Sequence, residues 1–177
     1  MNLRRAQAAD VPALARIHVD SWQVAYRGIV PDSFLERFTY QKREAAFRQA
    51  LLDDWAETYL IEDEHEQTAL GILTIGGCRD DDLDLNATGE IWGIYLVPAY
   101  WRRGIGTWTV HEAERLLQAR GYRAVVLWVL EDNTEARRFY EALGFQVDGA
   151  FKMVELGQPL KAIRYIKLPD ESFLRAL

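Results

Sequence analysis

The sequence contains little sulfur and little histidine. It has one cysteine (Cys78) and three histidines among 177 residues. A single cysteine excludes an internal disulfide and suits a reducing compartment. Because His18, His65 and His111 are scattered and only one cysteine is present, no Cys/His spacing for a metal site exists. We therefore expect no metal.

Long apolar runs and an excess of positive charge are also missing. No apolar run approaches the roughly 18 residues that span a bilayer, and residues 1–14 lack the apolar core of a signal peptide. The formal net charge is −6, so the chain has no broad basic surface for nucleic acid or anionic lipid. These features predict a cytoplasmic protein that binds neither nucleic acid nor membranes.

The composition is that of an ordinary folded domain. Apolar residues make up 49% of the chain and charged residues 27%. No internal repeat, low-complexity tract or Ser/Gly linker marks a boundary. A chain of 177 residues is long enough for one domain with a proper core, so we expect a single domain over residues 1–177.

Apolar periodicity and turn residues predict an α/β chain with a mixed sheet of about seven strands. The predicted strands are residues 3–6, 58–63, 69–77, 90–97, 124–130, 146–156 and 161–168. Helices are predicted at residues 11–26 with Asp10 as the N-cap, at 32–38 and at 41–52. Two more are predicted to end before Gly121 and before Gly144.

Residues 90–117 combine a strand, a basic glycine loop and the start of the central helix. Glycines let the backbone approach a ligand, and the first turn of a helix offers unpaired N–H groups at its positive dipole end. Arg102 and Arg103 favour a phosphate or pyrophosphate. The apolar run 124–130 predicts a second, buried strand. In such a βαβ unit, ligands bind beyond the carboxyl ends of the strands, where the loop lies.

Two motifs in this order resemble the GNAT-type N-acetyltransferase superfamily. The first is VPAYWRRGIGT at residues 97–107, and the second is NTEARRFYEALGF at residues 133–145. The resemblance extends in element order over residues 3–168 and implies a mixed sheet with helices on both faces. His18, Trp22 and Tyr26, followed by GIVP at 28–31, resemble a common bacterial branch of small-molecule enzymes. The family usually has Gln or Arg where this chain has Trp101.

The resemblance implies that the cosubstrate is acetyl-coenzyme A. Its pyrophosphate would bind backbone N–H groups of the glycine loop, which consists of Arg102, Arg103, Gly104, Ile105, Gly106 and Thr107. The pantetheine would lie between strands 90–97 and 124–130 and take main-chain hydrogen bonds from Leu96 and Val97. A backbone N–H near Leu96 would stabilise the developing oxyanion.

The same resemblance assigns roles to two side chains. Tyr140 matches the tyrosine that hydrogen-bonds or protonates the departing thiolate. The alternative is that Tyr140 is a core aromatic residue on the apolar stripe of its helix. Glu90 is a candidate base for the ammonium group of the acceptor, directly or through water; the alternative is a solvated glutamate at the start of a strand. Tyr95, Asp132 and water alone are further candidates for the base.

The remaining candidates have simpler alternatives. Asn133 matches a cofactor contact but is equally suited to cap a helix. Trp22 and Tyr26 are expected over the acceptor pocket. The acidic loop at residues 80–84 is typical of a solvated hairpin tip, or it attracts a cationic acceptor. Cys78 has no partner for nucleophilic catalysis, which favours direct transfer.

The sequence therefore predicts an N-acetyltransferase that uses acetyl-coenzyme A and a primary amine in a ternary complex. A small amine is the first expectation for the acceptor, and a peptide or protein amine is the second. A non-catalytic acyl-coenzyme A-binding sensor is the alternative from another class. The fold also makes a homodimer possible.

Overall fold

Seven strands form one mixed sheet in the described part of this computed structural model, residues 1–53 and 55–168. The strands are β1 Asn2–Arg5, β2 Ala56–Glu62, β3 Ala69–Gly77, β4 Thr88–Leu96, β5 Ala124–Leu130, β6 Gln146–Glu155 and β7 Pro159–Lys167. The helices are α1 Val11–Ala25, α2 Asp32–Leu35, α3 Tyr40–Ala50, α4 Ile105–Ala119 and α5 Thr134–Ala142. The sheet order is β1-β2-β3-β4-β5-β7-β6, and β4 and β5 pair in parallel. The prediction of a mixed sheet of about seven strands is confirmed.

Helices cover both faces of the sheet. Successive residues of a strand point to opposite faces, so Leu73 of β3 packs with Val110 of α4, whereas Ile72 packs with Leu14 of α1. Each of these side chains is fully buried. Burial of apolar area of this kind is the main favourable contribution to folding. The two apolar clusters fix α1 and α4 on opposite sides of the central strands.

The parallel strands β4 and β5 separate after a short paired segment. Their register runs from Thr88 opposite Ala124 to Glu90 opposite Val126 and ends there. The β3–β4 register shifts between Thr74 and Ile75, so that Trp92 is an extra residue on β4. A bulge of this kind bends the strand and increases its twist. The result is a gap between residues 91–96 of β4 and residues 127–129 of β5.

Asp10 occupies the N-cap position of α1, as predicted, but its side chain does not cap the helix. A 3-10 turn, Ala8–Asp10, precedes the helix, and the Asp10 side chain makes no cap hydrogen bond to α1. Its carboxylate instead accepts from the Gln7 N–H at 2.7 Å and from both terminal nitrogens of Arg4, at 2.7 and 2.8 Å. The charged Arg4 guanidinium is the stronger partner.

The helix predicted at residues 32–38 is shorter, because α2 ends at Leu35. None of the helices described at residues 1–53 and 55–168 is long and apolar enough to cross a membrane.

Candidate active site

A cavity of about 700 Å³ passes through the gap between β4 and β5. On one face of the sheet it is lined by Ser21, Ala25 and Tyr26, from the end of α1. On the other face it reaches the start of α4 and the inner side of α5, including Phe139 and Tyr140. The two faces of the sheet are therefore connected at the point where the strands separate.

The loop before α4 contributes Arg102, Gly104, Gly106 and Thr107 to the lining of this cavity. Arg102 and Gly104 have positive φ values of 59° and 80°, which turns successive amides toward one side. The first helical hydrogen bond runs from the Trp108 N–H to the Gly104 carbonyl. Within the described residues, the N–H groups of 102–107 have no hydrogen-bond partner. Such unpaired donors at a helix N-terminus suit an anion.

Glycine is required in this loop for two different reasons. At Gly104 a side chain would be strained by the left-handed backbone, although a Cβ there would touch nothing within 4 Å. At Gly106 a Cβ would lie 3.1 Å from the Phe139 ring and 3.6 Å from Leu96. Gly106 therefore allows the start of α4 to lie close to α5 and to the end of β4.

The side chains of Arg102, Arg103 and Ile105 in this loop make different contacts. Ile105 is buried and packs with Ile61 of β2, so its contribution to a ligand is its backbone. The Arg103 guanidinium lies 5.3 Å from the Tyr100 ring centroid. Arg102 makes an ion pair of 3.2 Å with Glu135, and both side chains are largely exposed. An exposed pair of this kind contributes little to stability, so Arg102 can exchange its partner for a phosphate.

Trp101 joins the loop to the end of β4. Its indole N–H donates to the Leu96 carbonyl at 2.8 Å, and its side chain lines the cavity. The Val97 N–H donates to the Leu70 carbonyl at 2.9 Å, on the β3 side. Because the N–H groups of successive strand residues point in opposite directions, the Leu96 N–H faces the gap. The expectation of a main-chain donor is therefore corrected for Val97, because its N–H already donates to the Leu70 carbonyl. The Leu96 N–H has the orientation toward the gap that a donor to the cofactor requires.

Three tyrosines line the cavity near the gap: Tyr26, Tyr95 and Tyr140. Burial raises the pKa of each of them above the ordinary phenol value, and their mutual proximity adds to the effect for Tyr26 and Tyr140. All three are therefore protonated at neutral pH and serve as hydrogen-bond donors. Tyr140 also packs edge-to-face against Phe139 and Phe145, so it belongs both to the core and to the cavity wall.

Glu90 lies beside the cavity but is not among its lining residues. Its side chain is 1% exposed and accepts three hydrogen bonds from Arg79, from the backbone N–H at 3.2 Å, Nε at 3.0 Å and a terminal nitrogen at 2.5 Å. A base needs a free lone pair facing the acceptor. The role of Glu90 as the base stays a prediction, and it requires that Arg79 release the carboxylate.

Asn133 caps a helix and also lies at the cavity, and its contact with the cofactor stays a prediction. Its side-chain oxygen accepts from the Ala136 N–H at 3.1 Å, which caps α5. The residue also lines the cavity. The cap holds Asn133 and the start of α5 at the end of the cavity where the loop before α4 lies.

The expected acceptor residues differ in their positions. Tyr26 lines the cavity, and Trp22 lies behind it with ring centroids 4.4 Å apart. Trp22 in turn stacks on Phe38 at 4.5 Å and on His18 at 5.6 Å. Trp22 therefore supports the wall that Tyr26 forms.

The acidic loop is not a freely solvated hairpin tip. Arg164 of β7, whose side chain is 5% exposed, binds both carboxylate oxygens of Asp82 at 2.7 Å and pairs with Asp80 at 3.3 Å. Asp80 also accepts from the Trp128 indole at 3.0 Å. Since both carboxylates are already bound to Arg164, they are less available to a cationic acceptor.

Sequence reasoning missed two tryptophans of the cavity wall, Trp92 and Trp128. A cation lies over each indole: the Arg79 guanidinium 3.9 Å from the Trp92 ring centroid and the Lys152 ammonium 3.8 Å from that of Trp128. The partners come from separate strands and loops, so no local spacing predicts the contacts. The signal available in the sequence was Trp128, a tryptophan within an otherwise aliphatic strand.

The chain belongs to the acetyltransferase (GNAT) family, whose model matches residues 14–145. It is 27% identical over 168 residues to the uncharacterized N-acetyltransferase YuaI of Bacillus subtilis, covering 90% of this chain and 93% of YuaI. It is 26% identical over 155 residues to the spermidine N(1)-acetyltransferase of Thermoplasma acidophilum, covering 84% and 89%. These matches confirm the superfamily suggested by the two motifs and identify the chain as an N-acetyltransferase.

The fold is also that of solved acetyltransferases. The PaiA N-acetyltransferase from Thermoplasma acidophilum, crystallised in complex with coenzyme A, superposes with a TM-score of 0.72 at 19% identity. The superposition covers 94% of this chain and 98% of that one. At this level of identity the similarity establishes the fold.

Proposed function

We propose that this chain moves an acetyl group from acetyl-coenzyme A to a small primary amine by direct attack, with both substrates bound together. The observation that carries the proposal is the cavity through the split sheet, which runs from residues 102–107 to Tyr26 on the opposite face. A thioester and an amine that enter from opposite faces meet in the gap between β4 and β5.

The loop before α4 fits the pyrophosphate of coenzyme A. It offers consecutive unpaired N–H groups, the positive end of the α4 dipole and the exposed Arg102 side chain. Gly106 leaves the space that a side chain would fill. Bound here, acetyl-coenzyme A supplies the thioester, and residues 102–107 hold its charged end.

Two groups of the chain act where charge changes during the reaction. The Leu96 N–H faces the gap and donates to the carbonyl oxygen that becomes negative. The Tyr140 hydroxyl, protonated at neutral pH, donates to the leaving sulfur. Both donors are held in place, Leu96 by the β3–β4 ladder and Tyr140 by its packing against Phe139 and Phe145.

The acceptor must lose a proton before it attacks. Glu135 is the only carboxylate among the described lining residues, and it pairs with Arg102 of the glycine loop. The tyrosines of the wall are poor bases because their phenols are already protonated. We infer that water takes the proton, and that Glu90 positions Arg79 over Trp92.

Direct transfer is tested by the order in which substrates bind and products leave. Cys78 is buried, and burial raises the pKa of its thiol, so it is a poor nucleophile. We expect initial rates at varied concentrations of both substrates to give intersecting double-reciprocal lines. Parallel lines, together with an acetylated enzyme formed without amine, would contradict direct transfer.

We further propose that two copies pair through β6. This strand lies at the edge of the sheet, and Val147, Phe151 and Met153 on it are 47%, 62% and 57% exposed. An exposed apolar edge strand favours pairing with another chain. Light scattering should give the mass of two chains, and Phe151→Lys should shift it toward one. A wild-type mass of one chain would contradict the proposed pairing.

A further inference from the structure

Charged side chains border the α1-facing side of the cavity, and they differ in whether they already have a partner. Trp92 and Trp128 line the cavity there, and each indole already carries a cation of this chain, Arg79 and Lys152 respectively. An aromatic face covered in this way is not available to bind a cationic substrate. A charged acceptor must therefore bind a nearby side chain of opposite charge that has no partner.

Four carboxylates near these tryptophans have a guanidinium partner. Glu90 is bound by Arg79. Asp80, Asp82 and Asp148 are all bound by Arg164, with Asp148 at 2.6 Å. A cationic acceptor that binds Glu90 would have to displace Arg79, and one that binds these aspartates would compete with the buried Arg164.

Among the cations close to Trp128, Lys152 differs from its neighbours. Arg79 and Arg164 both have carboxylate partners, and Lys161 pairs with Glu131 at 2.8 Å. Within residues 1–53 and 55–168, the Lys152 ammonium makes no hydrogen bond and no ion pair, and its contact is the Trp128 face. Burial against that ring lowers the pKa of Lys152, while the charges of Asp80 and Glu90 oppose this effect and those of Arg79 and Arg164 add to it. Because no carboxylate of the described residues lies within ion-pair distance of this ammonium, it can pair with the carboxylate of a ligand.

The strand geometry places Lys152 on the same face as the acceptor wall. Lys152 of β6 is paired with Ala162 of β7, and Ala162 is paired with Leu130 of β5. Paired residues share a face of the sheet, and residues two apart on one strand also share a face, so Lys152, Leu130 and Trp128 lie on one side. Leu130 packs with Tyr26, which confirms that this is the α1 side of the sheet.

We propose that the acceptor is a primary amine that also bears a carboxylate, and that Lys152 binds this carboxylate beside Trp128. The inference rests on the proposed function and specifies its substrate class. The proposed acceptor differs in charge from spermidine, the substrate in the name of the relative from Thermoplasma acidophilum. The positive charge of Lys152 then serves specificity as well as binding, because it repels a polyamine.

The test uses acceptors that differ in one group. Thiol release from acetyl-coenzyme A is measured with the full chain for amino acids and their amides, and for 4-aminobutyrate, butylamine and 1,4-diaminobutane. We expect kcat/KM for a carboxylate to exceed that of its uncharged twin by roughly 10- to 100-fold, the range of one added ion pair. A preference for the amide or the diamine would overturn the inference.

Variants of Lys152 connect the preference to the residue. Lys152→Met should remove the preference mainly through KM, Lys152→Arg should retain it, and Lys42→Met, at an exposed lysine of α3, should change nothing. Unchanged affinity for coenzyme A, measured by calorimetry, checks that each variant is folded. A preference that survives Lys152→Met would overturn the inference while leaving the proposed function intact. Absence of turnover with every amine contradicts the proposed function, and the inference with it.

Discussion

Tyr140 is the side chain on which the proposed departure of the thiol depends. It lines the cavity on α5, and burial keeps its hydroxyl protonated. Its neighbours Phe139 and Phe145 hold the ring edge-to-face, so removal of the hydroxyl leaves the packing in place. A substitution that removes only the hydroxyl oxygen therefore tests the chemical role of Tyr140 without changing its packing.

We expect Tyr140→Phe to lower kcat by about 10- to 10³-fold, because the leaving thiolate loses a positioned proton donor. Affinity for coenzyme A should change little, because the pyrophosphate site lies on another element. The measurements are steady-state rates and calorimetric binding. Equal rates for the variant and the wild type would remove Tyr140 from the mechanism.

The pH profile of Glu90→Gln decides whether Glu90 is the base. Because Arg79 already occupies the carboxylate, we expect kcat to fall by less than about 10-fold, well under the usual contribution of a general base. In the wild type and the variant, kcat/KM should rise with pH toward the pKa of the acceptor amine. Glu57→Gln, which alters a paired carboxylate outside the cavity lining, is the control. A larger fall with loss of the rise would restore Glu90 as the base.

At the scale of elements, the loop before α4 depends on its backbone conformation. Gly104 and Gly121 both have positive φ, 80° and 90°, and a Cβ at either position would touch nothing within 4 Å. They stand at opposite ends of α4 and differ in their relation to the cavity. This makes Gly121 a matched control for Gly104.

We expect Gly104→Glu and Gly121→Glu to lower the free energy of unfolding by similar amounts, about 1–2 kcal/mol, because both residues lose an easy left-handed conformation. Gly104→Glu alone should weaken coenzyme A binding, by roughly 100-fold, since it also adds an anion at the pyrophosphate site. Chemical denaturation and calorimetry measure the two effects. Retained binding in Gly104→Glu would refute the placement of the pyrophosphate.

The elements themselves were largely predictable from the sequence. The βαβ unit and the glycine loop consist of contiguous residues, so local spacing identifies them. The contacts of Glu90, Lys152 and Asp80 were not predictable, because their partners lie on other strands or in loops and depend on the sheet order. Asp10 shows the same limit: its position suggests a cap, but Arg4 of β1 takes the carboxylate.

At the scale of the molecule, the contact between α1, α3 and the sheet contains a buried titratable group. His18 is 3% exposed and packs against Trp22, Tyr95 and Phe47. Burial, together with the nearby Arg43 charge, lowers the pKa of His18 to about 3. The native state therefore holds His18 neutral, whereas the unfolded chain binds a proton below its ordinary pKa of about 6.5.

The consequence is a stability that falls with acidification. Between pH of about 6.5 and about 3 the unfolded state carries one more proton, so the free energy of unfolding decreases by up to about 1.4 kcal/mol per pH unit as pH falls. We expect His18→Phe to reduce this slope while retaining the aromatic contacts. Denaturation at several pH values measures it, with His111→Gln as an exposed control. An unchanged slope in His18→Phe would show that His18 is not its source.

The central claim is that the cavity through the split sheet brings a coenzyme A thioester and an amine together. The most direct measurement is thiol release from acetyl-coenzyme A against a panel of small amines and peptides, with mass spectrometry of the acetylated product. We expect thiol release that depends on a small amine and yields its N-acetyl derivative. Tight binding of acetyl-coenzyme A with no thiol release for any amine or peptide would contradict it and would indicate an acyl-coenzyme A-binding sensor.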